Sequence, residues 1–361
     1  MQAGWATYSA LFTNFVSQDL HIHPSQLGLV ESLREVPGFL TVVLAALTVR
    51  MRESRVTALA LLILGIGLMG YSAATNLGTL IAITMFGSIG FHLFSPLSSG
   101  LVLGQSGEHN RGRRMGQSNT ASAIGTLAGT ALVLIYVIPL GLRGSFIPAG
   151  GMVLLGAMCL LLLRDQDAAP RVSIIFRRRY LRYYVLTMLD GSRRQVFSTF
   201  AVFLLVRNYH VPVQTITILL LFNTVVTLAS AVPIGRLIDA FGERTMLVGN
   251  YLILVVLFSC YALVHTVLLL GVVFCIDNML FGCSVAITTY LGRIAPRNEL
   301  TPSLAMGGTA NHVAAVSVPV LGGIVWDHYG YQVTFFAGAA TCVISILVSA
   351  AIRTVQAKDQ V

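Results

Sequence analysis

Charged residues are scarce in this chain. Only 10% of its 361 residues are Asp, Glu, Lys or Arg, whereas a soluble globular domain carries about 25%. Lysine occurs once, at Lys358. The mean hydropathy is correspondingly high, at +0.79. This shortage of charge excludes an ordinary water-soluble fold and leaves a membrane protein as the class to be expected.

The sequence also lacks the signatures of enzymes and of metal proteins. It has no Gly-rich phosphate loop, nucleophile elbow or His/Glu metal motif. The five cysteines lie far apart inside apolar runs, without the spacing of a zinc site or a disulfide framework. Strand-length segments of alternating polarity, which a membrane β-barrel requires, are missing too. We therefore predict a protein that is not an enzyme and has neither metal nor cofactor.

Long apolar runs recur over the whole length. Each has roughly 17 to 25 residues, enough to cross about 30 Å of hydrocarbon as a helix. They are separated by charged residues and by Gly/Pro clusters. We predict an all-α membrane protein with twelve spans at 1–17, 26–49, 57–76, 79–104, 116–138, 146–163, 182–206, 212–234, 245–265, 267–291, 304–325 and 332–353.

The basic residues are distributed unequally between the two sides of the membrane. The formal net charge is +9, but the arginines lie in short connections between apolar runs, so nucleic-acid binding is not predicted. With the amino terminus in the cytoplasm, the cytoplasmic connections hold eighteen basic residues and the opposite side holds Arg143 and Arg207. By the positive-inside rule this predicts a protein of the cytoplasmic (inner) membrane with both termini cytoplasmic.

The chain divides into similar halves. The longest connection, 164–180, lies between six predicted helices, 1–163, and six more, 181–361. MGQSNTASAIG from Met115 and MGGTANHVAAV from Met306 begin the fifth and eleventh helices in a similar way, which indicates two six-helix bundles related by pseudo-twofold symmetry. At the same offset, the first helix would have to begin before residue 1, so we expect it to be truncated.

The connection between the eighth and ninth helices carries a recognisable pattern. GRLIDAFGER resembles the G-x-L-x-D-x-x-G-R-[RK] loop of the major facilitator superfamily, with Gly235, Asp239, Gly242 and Arg244 in matching places and Glu243 where the family has a base. The resemblance implies a monomeric secondary carrier in contact with membrane lipid, which moves a small molecule by alternating access. It also implies that this loop latches helices during gating. The corresponding first-half loop, 46–55, keeps only basic residues.

Small residues in the fifth and eleventh helices form a second pattern. Gly116, Gly125 and Gly129 resemble the start of the superfamily's antiporter pattern, and Pro319, Gly322 and Gly323 resemble its end. The antiporter resemblance slightly favours export. Small residues at these spacings are equally explained by close helix packing.

Charges inside the predicted spans are the main candidates for a site, because each costs a few kcal/mol or more in the bilayer. The seventh helix holds Asp190, Arg193 and Arg194, and the tenth holds Asp277 and Asn278. The resemblance implies that the first, fourth, seventh and tenth helices line the central cavity, which adds His92. Arg binds carboxylate and phosphate through a planar fork, so we predict an anionic or zwitterionic substrate. The alternative is a structural ion network.

A further cluster lies in the second helix. Glu31 and Glu35 are one turn apart, and Arg34 can contact Glu31. Such acids can carry protons, so Glu31, Glu35 and Asp190 are candidates for proton coupling, with Asp277 as a further acid at membrane depth. The alternative is a solvated patch or an interdomain salt bridge.

Two other functions remain open at this point. One is multidrug efflux of amphipathic cations, which the acids suit and the arginine pair opposes. The other is a membrane protein that does not transport and acts as a sensor or assembly partner. The incomplete first helix and the degraded first-half loop favour this last reading.

Overall fold

The computed structural model describes residues 1–39, 52–104, 110–162 and 176–352, and these ranges contain helices and no strand. We number the helices α1 to α12 in chain order. They are Gln2–Asn14, Pro24–Phe39, Glu53–Gly70, Leu77–Gly104, Arg111–Gly144, Phe146–Leu161, Leu181–Tyr209, Val213–Leu263, Val267–Leu280, Val285–Ile294, Arg297–Tyr329 and Tyr331–Ala350. The predicted all-α class is confirmed.

Two of the predicted spans form one long helical element. α8 runs for 51 residues, but Gly242 inside it has φ +76° and ψ 160°. Residues other than glycine rarely adopt such a φ, and the chain reverses there without leaving a long loop. The predicted helices 212–234 and 245–265 are therefore the two halves of α8. Conversely, the single predicted span 267–291 is divided in the structure into α9, a 3₁₀ segment at Phe281–Ser284, and α10.

Several helices extend past their apolar runs. α5 begins at Arg111, five residues before the predicted start, and α11 continues to Tyr329. Hydropathy marks the part of a helix that lies in hydrocarbon, whereas arginine and other good helix formers continue the helix into water. By contrast, α1 ends at Asn14, before the predicted end of the first span at residue 17, and the chain continues as a π-helical segment, Phe15–Asp19.

The outer surface of the helices is apolar. Side chains exposed by more than two-thirds include Ile135, Ile138, Leu268 and Leu162. Seven helices of the described chain are long and apolar enough to cross a membrane, and Phe146–Leu161 is a shorter apolar helix. A soluble monomer does not expose apolar surface on this scale. The chain is a multi-pass membrane protein.

The helices form two compact units. The first unit comprises Met1–Arg171 with Val206–Thr224, and the second comprises Val172–Leu205 with Val225–Val361. The ends of α7 and α8 that meet near residue 210 thus belong to the first unit. Most of the predicted linker, 164–175, lies outside the described residues, as does 46–51 of the first-half loop. The boundaries of the two predicted bundles stay a prediction.

Close helix contacts at small residues hold the first unit together. A Cβ built on Gly129 of α5 would overlap the carbonyl oxygen of Ala3 in α1. Beside this contact, Thr7 donates a hydrogen bond to the carbonyl of Gly129 at 2.8 Å. Gly125 also faces α1, with Gln2 and Ala3 within 3.5 Å of such a Cβ. Packing therefore accounts for Gly125 and Gly129, two of the three glycines of the antiporter pattern in this helix, whereas a Cβ on Gly116 would meet nothing within 4 Å.

Aromatic side chains fill the second unit. Phe197 of α7 stacks on Phe274 of α9 with ring centroids 5.0 Å apart. Gly322 of α11 lies against Phe200, because a Cβ there would be 2.6 Å from its ring. Pro319 precedes it inside the same helix, and Gly323 follows it. The second unit thus provides a rigid apolar frame around the charges of α7 and α9.

Candidate functional site

Three charged side chains of α7 form one connected cluster. Asp190 accepts a hydrogen bond from Nε of Arg193 on Oδ1 at 3.0 Å, and a second from Nη2 of Arg194 on Oδ2 at 3.3 Å. The spacing of three and four residues along a helix brings both arginines onto the same side as the acid. A single carboxylate therefore holds two guanidinium groups, one on each oxygen.

Arg193 connects this cluster to α9. Its Nη1 lies 3.6 Å from Oδ1 of Asp277, and both side chains are 0% exposed. Among the described residues, neither oxygen of Asp277 has a hydrogen-bond partner. A fully buried carboxylate with one long ion pair and no hydrogen bond is costly as an anion. Asn278, the next residue, is half-buried.

An aromatic ring lies beneath both arginines. The guanidinium carbons of Arg193 and Arg194 are 4.7 Å and 5.1 Å from the centre of the Phe281 ring. Phe281 begins the 3₁₀ segment between α9 and α10. Ser284, at the end of that segment, accepts a weak hydrogen bond from Arg194 at 3.4 Å. The interruption of the helix thus places a ring and a hydroxyl against the two guanidinium groups.

The two neighbouring arginines differ sharply in exposure. The side chain of Arg193 is 0% exposed, whereas that of Arg194 is 41% exposed. Arg194 lies about 20 Å along α7 from its first residue, at the rise of a regular helix, so it is at membrane depth. An exposed guanidinium in hydrocarbon costs several kcal/mol. Its exposed side is therefore expected to face water, which makes Arg194 rather than Arg193 the guanidinium of this cluster that a solute can reach.

A second ion cluster lies in the first unit. Nη2 of Arg34 is 2.5 Å from Glu31, and Nε of Arg34 is 3.6 Å from Glu35. Nε2 of His92 in α4 lies 3.6 Å from the other oxygen of Glu35, and the Nδ1 side of the ring is 3.0 Å from Ser88. The structure therefore brings together the candidates Glu31, Glu35 and His92. None of these three side chains is more than 14% exposed.

A small cavity adjoins Arg34. Its volume is about 10 Å³, room for about one water molecule. Aromatic and hydroxyl side chains make up most of its wall; those nearest the charge are Tyr8, Tyr71, Thr84 and Ser88. Tyr71 and Thr84 share a hydrogen bond of 2.9 Å. The cavity is too small for an organic solute in this conformation, so the cluster is better suited to water and protons than to substrate.

The proposed gating loop differs in detail from expectation. Gly242 supplies the reversal of the chain inside α8. Asp239 and Arg244 are both exposed and form no ion pair among the described residues. Instead Glu243, which replaces a base of the family pattern, lies 2.6 Å from Nε of Arg293 near the end of α10. The ion pair of this loop is therefore formed by Glu243, the residue at which the sequence departs from the family pattern.

The Glu243 pair offers a direct test of the latch. We expect Glu243→Ala and Arg293→Ala each to lower the melting temperature, with a coupling energy on the order of 1 kcal/mol in the double-mutant cycle. The swapped variant Glu243→Arg with Arg293→Glu should recover most of that coupling. Arg236→Ala, an exposed arginine earlier in the loop, is the control. A coupling energy near zero in the cycle would reject the latch.

The end of the predicted linker is anchored to α11. Glu299, in the first turn of α11, accepts a hydrogen bond from Tyr180 at 2.9 Å and pairs with Arg177 at 3.5 Å and with Arg179. These contacts lie within the second unit. They fix where α7 begins and hence the height of its charged cluster.

Comparison with known families identifies the fold. A model of the Major Facilitator Superfamily matches residues 1–189 and again 183–360. The chain belongs to the Major Facilitator Superfamily. The family that the loop pattern resembled is therefore confirmed, and the two matches agree with the internal repeat. No curated protein matches this sequence.

Solved structures of Major Facilitator Superfamily transporters have the same fold. The nucleoside transporter NupG has a TM-score of 0.79 at 13% identity, covering 97% of this chain and 95% of that one. A bacterial homolog of the human lysosomal transporter Spinster, inward-facing and unoccupied, gives 0.77 at 12% identity, with 97% and 94% covered. The D-xylose-proton symporter gives 0.72 at 14% identity, with 98% and 95% covered. At these identities the likeness shows the fold alone.

Sequence reasoning found the charged residues of this Major Facilitator Superfamily member but not their neighbours. Phe281 and Ser284 escaped notice because an aromatic residue and a serine are ordinary in a membrane helix. The signal that marks them is the run of small residues Gly282, Cys283 and Ser284 one helical turn after Asp277. Glu243 was visible as a departure from the family pattern, but its partner Arg293 follows only from the course of α10.

Proposed function

We propose that this protein is a secondary transporter that moves a small organic anion or zwitterion across the membrane by alternating access. Arg194 carries the proposal, because it is 41% exposed while its neighbour Arg193 is fully buried. A guanidinium offers two parallel N–H donors to a carboxylate or phosphate. The Phe281 ring supports it, with its centre 5.1 Å from the guanidinium carbon.

In this proposal Asp190 competes with the substrate for the guanidinium of Arg194. It occupies Arg194 through one oxygen at 3.3 Å, a longer and weaker contact than the 3.0 Å bond that it accepts from Arg193. An incoming anion displaces the weaker contact while Asp190 stays bound to Arg193. Asp277, the other acid of the cluster, is fully buried and is less suited to this role. In this scheme Arg193 and Asp277 position the site, and Asn278 and His92 are further candidates for substrate contact.

The coupling ion is the next part of the proposal. Two of the glycines that slightly favoured export, Gly125 and Gly129, are explained by packing against α1, so they no longer argue for either direction. One structural relative is a D-xylose-proton symporter, and this chain has buried acids in both units that are suited to carry a proton. We propose proton coupling.

We further propose that the protein is a monomer. We also propose that it lies in the cytoplasmic membrane with both termini in the cytoplasm, because the arginines are concentrated in the predicted cytoplasmic connections.

Thermal stability against a solute panel tests the anion site. The panel contains lactate, benzoate, glutamate and inorganic phosphate, with glycine as a zwitterion, tetraphenylphosphonium as a lipophilic cation, and uridine and D-xylose as neutral solutes. A solute at about 100 times its Kd adds roughly 2.7 kcal/mol to the stability of the folded protein. We expect an anion of the panel to raise the melting temperature of the wild type, and Arg194→Gln to abolish that rise.

Arg207→Gln is the matched control, since Arg207 lies in the last turn of the same helix. It should retain the stabilisation by the anion. Stabilisation by tetraphenylphosphonium that persists in Arg194→Gln would replace the anion site by cation efflux. Counterflow in proteoliposomes then distinguishes a carrier from a membrane sensor, because a sensor exchanges none of the solutes.

A further inference from the structure

The four charges of the cluster formed by α7 and α9 balance one another. Asp190 and Asp277 contribute two negative charges, and Arg193 and Arg194 contribute two positive ones, all joined by ion pairs. A substrate anion at Arg194 would leave this buried group with one excess negative charge. Uncompensated charge in the membrane is costly. Binding of the anion therefore favours the uptake of one positive charge.

Asp277 is the group best placed to accept it. Asp190 receives hydrogen bonds on both oxygens, which stabilise its ionised form. Asp277 is 0% exposed, makes a single ion pair at 3.6 Å, and has no hydrogen bond to either oxygen from the described residues. Protonation removes a poorly compensated charge from Asp277, whereas at Asp190 it would break two charge-assisted hydrogen bonds.

The other ionisable groups around Asp277 do not compete for the proton. Arg193 and Asp190 reach it from α7, and Tyr261 from the second half of α8. Cys342 of α12 also interacts with it electrostatically, while Tyr251 and Cys283 interact in the same way with Asp190 and Arg193. Tyrosines and cysteines are already protonated near neutral pH, and arginine stays charged.

We propose that Asp277 is the proton-carrying residue of this transporter and that one proton binds with each monovalent anion. The inference rests on the proposed anion site at Arg194. A proton from water forms an O–H bond at a carboxyl oxygen of Asp277, and the same proton returns to water on the other side. Arg193 then pairs with Asp190 alone.

The structure also indicates where access to Asp277 changes. The 3₁₀ segment Phe281–Ser284 begins one helical turn after Asp277 and interrupts the span formed by α9 and α10. A 3₁₀ stretch inside a helix often marks a hinge. Because Phe281 of this segment also supports both arginines, movement at the break alters the anion site and the proton site together. Coupling is reciprocal by linkage, so the anion strengthens proton binding and a proton strengthens anion binding.

Infrared spectroscopy of the purified protein tests the proton site without any solute. Without solute, the carbonyl band of a protonated carboxylic acid should grow in the wild type as the pH is lowered below neutral, and this growth should be missing in Asp277→Asn and restored in Asp277→Glu. Loss of this growth in Glu35→Gln instead would place the proton in the first unit and overturn the proposal. So would a wild type in which the band does not grow, which keeps the test decisive if Asp277→Asn fails to fold.

Proton uptake on solute addition tests the coupling. Each anion of the thermal panel is added to protein in weakly buffered medium with a pH indicator. An anion that stabilises through Arg194 should take up about one proton per molecule with the wild type and none with Asp277→Asn. Stabilisation without proton uptake overturns this inference and leaves the anion site intact. If no anion stabilises the protein, the anion site fails, and the infrared result alone decides the role of Asp277.

Discussion

Arg193→Met is expected to leave little folded protein, whereas Arg194→Met should fold and purify normally. The two residues are neighbours on α7, but Arg193 is fully buried between Asp190 and Asp277. Removing one partner of a buried ion network costs about 3 to 5 kcal/mol, because the remaining charges stay in the interior uncompensated. A typical domain has only about 5 to 15 kcal/mol to lose. Fluorescence-detected gel filtration and melting temperature measure the difference.

Neutralising Asp277 as well provides the rescue for this experiment. Arg193→Met combined with Asp277→Asn leaves Asp190 paired with Arg194, so the double variant should recover most of the lost melting temperature. Replacing a buried ion pair by neutral groups is often close to neutral for stability. If Arg193→Met melts like the wild type, the ion network does not stabilise the fold. Arg193 is then as good a candidate for binding the substrate as Arg194.

The sequence predicted the fold well because the bilayer imposes a simple rule. A spanning segment must satisfy its own backbone hydrogen bonds and be apolar over about 20 residues. Hydropathy alone was therefore enough to predict the spanning helices. Helix ends in water obey no such rule, which is why α5 starts at Arg111 rather than at residue 116. The break at Phe281–Ser284 was missed for a similar reason, since its composition is as apolar as that of a continuous helix.

The candidate site could be predicted only as a set of residues. Helical spacing placed Asp190 with both arginines, and the structure shows those contacts. What spacing cannot supply is the direction in which a side chain points relative to neighbouring helices. Arg193 and Arg194 differ by about 100° around the helix, and that rotation separates a buried residue from one that reaches water. The roles of the two arginines therefore depend on packing, which only the three-dimensional structure provides.

Asp190→Asn should tighten anion binding by tenfold or more and slow net transport. The substitution removes the carboxylate that competes for Arg194, while Arg193 keeps Asp277 as its partner. The four-residue network then carries a positive charge before the anion arrives, so binding restores neutrality instead of disturbing it. A tenfold change corresponds to about 1.4 kcal/mol. Calorimetric titration with the anion that stabilises the wild type measures the affinity, and counterflow and uphill uptake measure transport.

The same variant separates two explanations of how the substrate leaves. If Asp190 returns to Arg194 and expels the anion, Asp190→Asn binds tightly but releases slowly, so uphill uptake falls while equilibrium binding rises. If Asp190 only supports the helix, both quantities fall together, because the site is distorted. Ser192→Ala controls for changes on the same turn, since the Ser192 hydroxyl donates a hydrogen bond to the carbonyl of Met188 within α7. Unequal changes in affinity and transport therefore identify Asp190 as the group that exchanges with the substrate.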